Sequence, residues 1–304
     1  MDKLRTVFVG EKGLRSGWKF LLFVVLYAFA GKAAFWLVTK LGYVSPRDWH
    51  WPNFLFEEVM DFGLAVLVAL GISRILKEKF SSYGLPFTAD AGKLLVKGWI
   101  WGFVPSAVIL IPLFATGACS YHGLALHGRE LLSSTVGWAM AMLALGFAEE
   151  FVFRGFTLKT LADGMGFWPA AILLSAIFGL VHLLKPMENW ADAASVGLYG
   201  LLWCLMLKRT GSLWFPIGFH AASDYADMIA FSEPNTGNNG QPIPGHLLEL
   251  HFHGPDWLTG GPRGTEASLL VFVILAGLFY FFDRAYPGRT AARAAAVNGP
   301  ESDS

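Results

Sequence analysis

Apolar residues gather along this chain in eight runs separated by short polar stretches, at approximately 19–39, 54–74, 94–117, 135–158, 167–185, 190–207, 213–231 and 267–283. A helix needs roughly 20 apolar residues to cross a ~30 Å hydrocarbon core. Lipid offers no partner to an unpaired backbone N–H or C=O, so spans of this kind are predicted to be helical. The pattern predicts an all-α polytopic bundle of about eight transmembrane helices. Residues 1–287 form one integral membrane domain, followed by a flexible polar tail at 288–304. The longest polar connection, about 232–265, is rich in Gly, Pro and Asn and reads as turns with one short interfacial helix around "HLLELHFHG".

Composition agrees with that picture. Of 304 residues, 54% are hydrophobic and only 15% charged, and mean hydropathy is +0.48, outside the ordinary soluble range. The formal net charge is zero with no basic block, which argues against a nucleic-acid partner. Cys119 and Cys204 form neither a CxxC site nor a disulfide framework. Lys and Arg are concentrated in alternate loops. One set holds Lys3, Arg5, Lys12, Lys77, Lys79, Lys159, Lys208, Arg289 and Arg293 among others, while the opposite set holds Lys40, Arg47, Arg129, Lys185 and Arg263. That asymmetry predicts both termini in the cytoplasm.

Ionisable residues inside the spans are the informative ones, because each costs about 2.5–3.5 kcal/mol at the bilayer centre on insertion scales. Span four carries Glu149, Glu150 and Arg154, span five His182, and span seven His220, Asp224 and Asp227. Glu150 and Arg154 are four apart, the spacing at which acid and base meet on one helix face and offset each other's burial. Glu149, turned about 100° away, is left without a partner on its own helix. His220 and Asp224 share a face in the same way. One carboxylate with two imidazoles is the equipment for activating water: the acid takes a proton, and the rings polarise the water or bind a metal. No HExxH signature is present, so a metal site would be assembled across helices. Asp227 reads as facing outer water, Glu57, Glu58 and Asp61 as lying near an interface, and His246, His251 and His253 as a solvated loop.

In order along the chain, "EEFVFR", "FGLVH" and "HAASD" match the EExxxR, FxxxH and HxxxN/D motifs. "YGLPF" and "RTGSLWFPIGF" add to the likeness. With these motifs the chain resembles the CPBP intramembrane proteases, the group containing the CAAX prenyl endopeptidases and many bacterial relatives. The resemblance implies an intramembrane endopeptidase, metallo- or glutamate-dependent, in a bacterial cell membrane. Its substrate would be a membrane-associated, in some members prenylated, peptide or protein. Glu149, His182, His220 and Asp224 would be catalytic, with Glu149 and His182 activating water. The same four would be the ligands of a divalent metal, zinc first, if one is used. Glu150 and Arg154 would lock span four, and Phe178 would pack beneath the histidine. Where prenyl proteases carry asparagine, this chain has Asp224. An ionised carboxylate only accepts hydrogen bonds, so orienting His220 or ligating suits it better than oxyanion stabilisation. The competing reading is a non-catalytic immunity or peptide-binding membrane protein of the same fold.

One tension remains in the predicted spans. His182 lies about 15 residues into span five, roughly 22 Å, whereas His220 is about seven into span seven, roughly 10 Å. For the two to meet, span five must begin below the bilayer, or one span must be tilted or broken.

Overall fold

The computed structural model describes residues 7–10, 13–44 and 49–288. The tail beyond 288 and the charges at Lys3, Arg5, Lys12, Arg47, Arg289 and Arg293 lie outside the described residues. The chain is a polytopic helical membrane protein. Its main elements are α1 (Ser16–Lys40), α2 (Trp51–Leu76), α3 (Ala91–Thr116) and strand β1 (Cys119–Leu124). There follow α4 (Gly128–Met165), α5 (Phe167–His182), α6 (Trp190–Thr210), α7 (Trp214–Asp224), strand β2 (Leu248–Phe252) and α8 (Leu269–Ala285). Helices α1, α2, α3, α4 and α6 are long and apolar enough to cross a membrane, and α5 is a shorter apolar helix.

The expected interfacial helix around residue 250 is instead strand β2, antiparallel to β1, with Cys119 opposite Phe252 and Tyr121 opposite Leu250. The reason is visible in the alternation. Leu250 is buried and His251 exposed, a period of two that suits one covered sheet face. The pairing puts the connections at 117–127 and 231–268 on the same face of the bundle.

Close backbone approach holds the centre together. A Cβ on Gly98 would come 2.1 Å from the carbonyl oxygen of Phe215, and one on Gly102 would come 2.2 Å from that of Phe219. Only glycine permits that contact of α3 with α7, the small-residue packing expected where lipid supplies no hydrophobic drive between helices. Helix α6 starts at a capping box in which Asn189 Oδ1 accepts from the Ala191 N–H and Asp192 Oδ2 accepts from the Asn189 N–H. Its buried flank joins Phe178, Trp203, Phe215 and Phe219 in the largest core cluster.

Two helices change pitch at functionally suggestive places. The α4 run passes through a π-helical turn at Phe151–Phe156, immediately after Glu149 and Glu150. Helix α7 runs into a second π-helical turn at Tyr225–Ala230, immediately after Asp224. Such turns cluster at functional sites because the wider ring re-aims side chains.

Candidate active site

The centre of the site is His220, 3% exposed. Its Nδ1–H donates to Glu150 Oε1 at 3.0 Å, and its Nε2 stands 3.3 Å from Asp224 Oδ2 and 3.7 Å from Glu149 Oε2. Helices α4 and α7 therefore meet through one imidazole. The two adjacent glutamates divide as their 100° separation predicts. Glu150 points into the protein, 0% exposed, whereas Glu149 lines an open cavity of about 340 Å³.

Glu150 also accepts from Arg154 Nη1 at 3.0 Å, an i,i+4 pair in which both side chains are buried. The guanidinium lies over the rings of Phe178 at 4.4 Å and Trp203 at 4.9 Å. Trp203 in turn stacks on His220, with ring centres 3.9 Å apart at 16°. Room for the guanidinium comes from Gly200, where a Cβ would sit 2.3 Å from Arg154 Nη2. A chain of Gly200, Arg154, Glu150 and Trp203 thus fixes the plane and tilt of the catalytic-candidate ring.

His182 ends α5, and its Nδ1–H donates to the Phe178 carbonyl at 2.9 Å. A carbonyl only accepts, so the proton sits on Nδ1 and Nε2 keeps its lone pair. Phe178 lies against this ring at 5.1 Å between centres and 6.4 Å from His220. His182, His220, Glu149 and Asp224 all line the same cavity. Helix α4 is longer than one crossing requires. At 1.5 Å per residue the 38-residue α4 extends roughly 57 Å, nearly twice the hydrocarbon thickness. Its last part, Thr157–Met165, is polar enough to lie outside lipid, with Lys159 paired to Asp163 and Glu78. Only Gly166 separates it from α5, and His182 and His220 line the same cavity.

Three readings of acids change. Asp227 does not face outer water: it lines the cavity, with Oδ1 buried and without a hydrogen-bond partner among the described residues. Glu58 lines the same cavity, and Asp61 Oδ2 accepts from the Tyr27 hydroxyl at 2.5 Å, so both serve the interior rather than an interface. The loop carboxylates Glu233 and Glu266 complete the wall. Burial pushes Glu233 up to about 7 and Glu266 up to about 8. His246 and His251 bond Glu249 on the partly exposed sheet edge, away from the cavity.

The metal expectation rests on His182, His220, Glu149 and Asp224, which line one cavity. Among the described residues, no three His, Cys, Asp or Glu side chains stand where they could hold one ion. His220 spends Nδ1 on Glu150 and turns Nε2 to two carboxylates, while His182 keeps the lone pair of its Nε2.

Sequence comparison bears on the same segment. Residues 131–226, from α4 through the start of the second π turn, match the family model "Type II CAAX prenyl endopeptidase Rce1-like". The chain is also 26% identical over 186 residues to the uncharacterized protein YyaK of Bacillus subtilis (strain 168). That match covers 58% of this chain and 60% of YyaK. No solved structure matches. All three motifs fall inside the matched segment, and the resemblance to the CPBP intramembrane proteases therefore stands, with residues 131–226 carrying the Rce1-like likeness.

Proposed function

We propose that the protein is an intramembrane endopeptidase that hydrolyses a peptide bond of a membrane-associated substrate, with Glu149 as general base. The observation that carries this reading is the split between neighbouring glutamates. Glu150 is consumed by Arg154 and His220, while Glu149, on the same helix, faces the cavity 3.7 Å from His220 Nε2. A buried ion pair needs one acid, and the second is left in reach of water.

In this scheme a water in the cavity lies between Glu149 and the lone pair of His182 Nε2. Glu149 takes its proton as the oxygen attacks the scissile carbonyl, then passes that proton to the departing amine. The products are a carboxylate and an amine, and no covalent enzyme intermediate forms. General-base assistance of this kind contributes about 10²–10⁴-fold. Glu150 and Asp224 hold His220 from opposite nitrogens, so its ring edge stays aligned along the cavity wall. Asp224 acts as an orienting acceptor, consistent with 3.3 Å to Nε2.

The family likeness supports a CAAX-type substrate, a lipid-anchored C-terminal tail, as the first to test. Protein reconstituted in proteoliposomes is given such peptides in H₂¹⁸O. Hydrolysis through an activated water places one ¹⁸O in the newly formed carboxyl of the released fragment. Peptide binding without release of any fragment would support the immunity or peptide-binding reading instead. Zinc is read in the same preparation by elemental analysis: metal bound in proportion to protein and lost in His182→Ala would oblige the scheme to be rewritten around it.

A further inference from the structure

The cavity beside Glu149 has more carboxyl groups than hydrolysis requires. Seven of its lining side chains are carboxylates, against Lys185 and Arg263 as permanent cations. Lys185 is exposed. Arg263 is engaged elsewhere, with Nη2 3.0 Å from Asp256 Oδ2 and Nε 3.7 Å from Asp192 Oδ2.

Three of the acids, Asp227, Glu233 and Glu266, form one wall, tied together by backbone. The Glu233 N–H donates to the Asp227 carbonyl at 2.9 Å. Glu233 Oε2 accepts from the N–H of Thr265, the residue before Glu266, at 2.7 Å. Asp227 and Glu266 also share a second void of about 10 Å³. Glu233 is 2% exposed, and its Oε1 is buried with no hydrogen-bond partner among the described residues. Such an oxygen costs free energy unless something donates to it. Loop acids are easily left in water, yet this chain folds its 231–268 connection inward to bury them.

We propose that the Asp227, Glu233 and Glu266 wall is a specificity subsite for a cationic side chain, lysine or arginine, of the peptide substrate. The proposal rests on the hydrolase reading above and adds the substrate's charge. An organic cation suits the wall better than a metal ion. No three of these acids stand where they could close on one ion among the described residues, whereas an ammonium or guanidinium on a long stem donates to oxygens spread along a surface. The stem finds apolar cover from Phe54, Val196 and Met228 in the same cavity. Burial, with neighbouring acids, raises the proton affinity of Glu233 and Glu266, and an entering cation would oppose that rise.

The test uses full-length protein in nanodiscs and lipid-anchored peptides identical except at one residue, scanned along the peptide as lysine, arginine, norleucine or glutamate. Binding is measured on the Glu149→Gln protein and cleavage on the wild type. The expected result is one position at which lysine or arginine is preferred over norleucine on the order of tenfold. That ratio should fall below about twofold in Glu233→Gln/Glu266→Gln. Glutamine keeps an acceptor for the Thr265 N–H, and Glu266→Gln alone provides a second variant that leaves that bond untouched. A binding preference without cleavage anywhere would fail the hydrolase reading and leave the subsite standing. Cleavage with no charge preference, or a preference that survives both variants, would overturn the subsite. So would calcium or zinc bound in proportion to protein and released by the double substitution, with lysine and norleucine peptides handled alike.

Discussion

Arg154→Met is the perturbation that most clearly separates an architectural role for the second glutamate from a chemical one. Glu150 is 0% and Arg154 2% exposed, and the pair is joined at 3.0 Å. Removing the guanidinium leaves a buried carboxylate whose remaining donor is His220 Nδ1, while Glu150 Oε2 already has no partner. Breaking a buried pair from one side costs about 3–5 kcal/mol, against about 0–1 kcal/mol for an exposed pair. The contacts with Phe178 and Trp203 add about 0.5–2 kcal/mol. At 1.4 kcal/mol per decade, the pair alone is worth roughly two to nearly four powers of ten in the folding equilibrium. Adding Glu150→Gln removes the orphaned charge, so the double variant should be at least about 1 kcal/mol more stable than Arg154→Met alone. Equilibrium unfolding in detergent micelles, followed by tryptophan fluorescence, measures both. A cost below about 1 kcal/mol for Arg154→Met, or a double variant no better than the single one, would refute the locked-pair account.

Other expectations follow from the same coordinates. Gly102→Val forces a side chain against the Phe219 carbonyl and should destabilise by about 1–3 kcal/mol; Gly31→Ala, inside a helix where a Cβ meets nothing within 4 Å, should not destabilise in the same unfolding measurement. Trp203→Leu removes the stack on His220 and should lower kcat roughly ten- to hundredfold with little change in KM. A KM-only effect would assign Trp203 to substrate binding. Glu233 and Glu266 are raised from 4.5 to about 7 and about 8, so the folded state holds protons that the unfolded chain has released. Their contribution to stability is complete below about pH 4.5 and is lost as pH climbs through 7 and 8. Unfolding midpoints from pH 5 to 9 should fall, and Glu233→Gln/Glu266→Gln should flatten that slope.

The helical spans were legible because lipid leaves the backbone few alternatives, and α1 to α8 fall on the eight apolar runs. The Glu150–Arg154 pairing was legible too, since four residues along one helix decide it. What escaped depends on contacts between distant segments. Trp203 sits in an apolar run like any other aromatic, and only its stack on His220 distinguishes it. Asp227 follows Asp224 by three residues, and the π turn at Tyr225–Ala230 rather than the sequence spacing governs where it is carried. Strand β2 hides in a loop whose Gly and Pro content suggests turns, although Leu248, Leu250 and Phe252 alternate as a half-covered strand should. Glu233 and Glu266 read as loop acids until the connection folds inward.

The measurement that bears most directly on the central claim is the rate of peptide release by Glu149→Gln in proteoliposomes, normalised to folded protein, alongside its unfolding midpoint. The account predicts an unchanged midpoint, because among the described residues Glu149 carries no ion pair beyond its 3.7 Å approach to His220, and a loss of at least about 10²-fold in kcat. Wild-type turnover from a fully folded Glu149→Gln protein would contradict it.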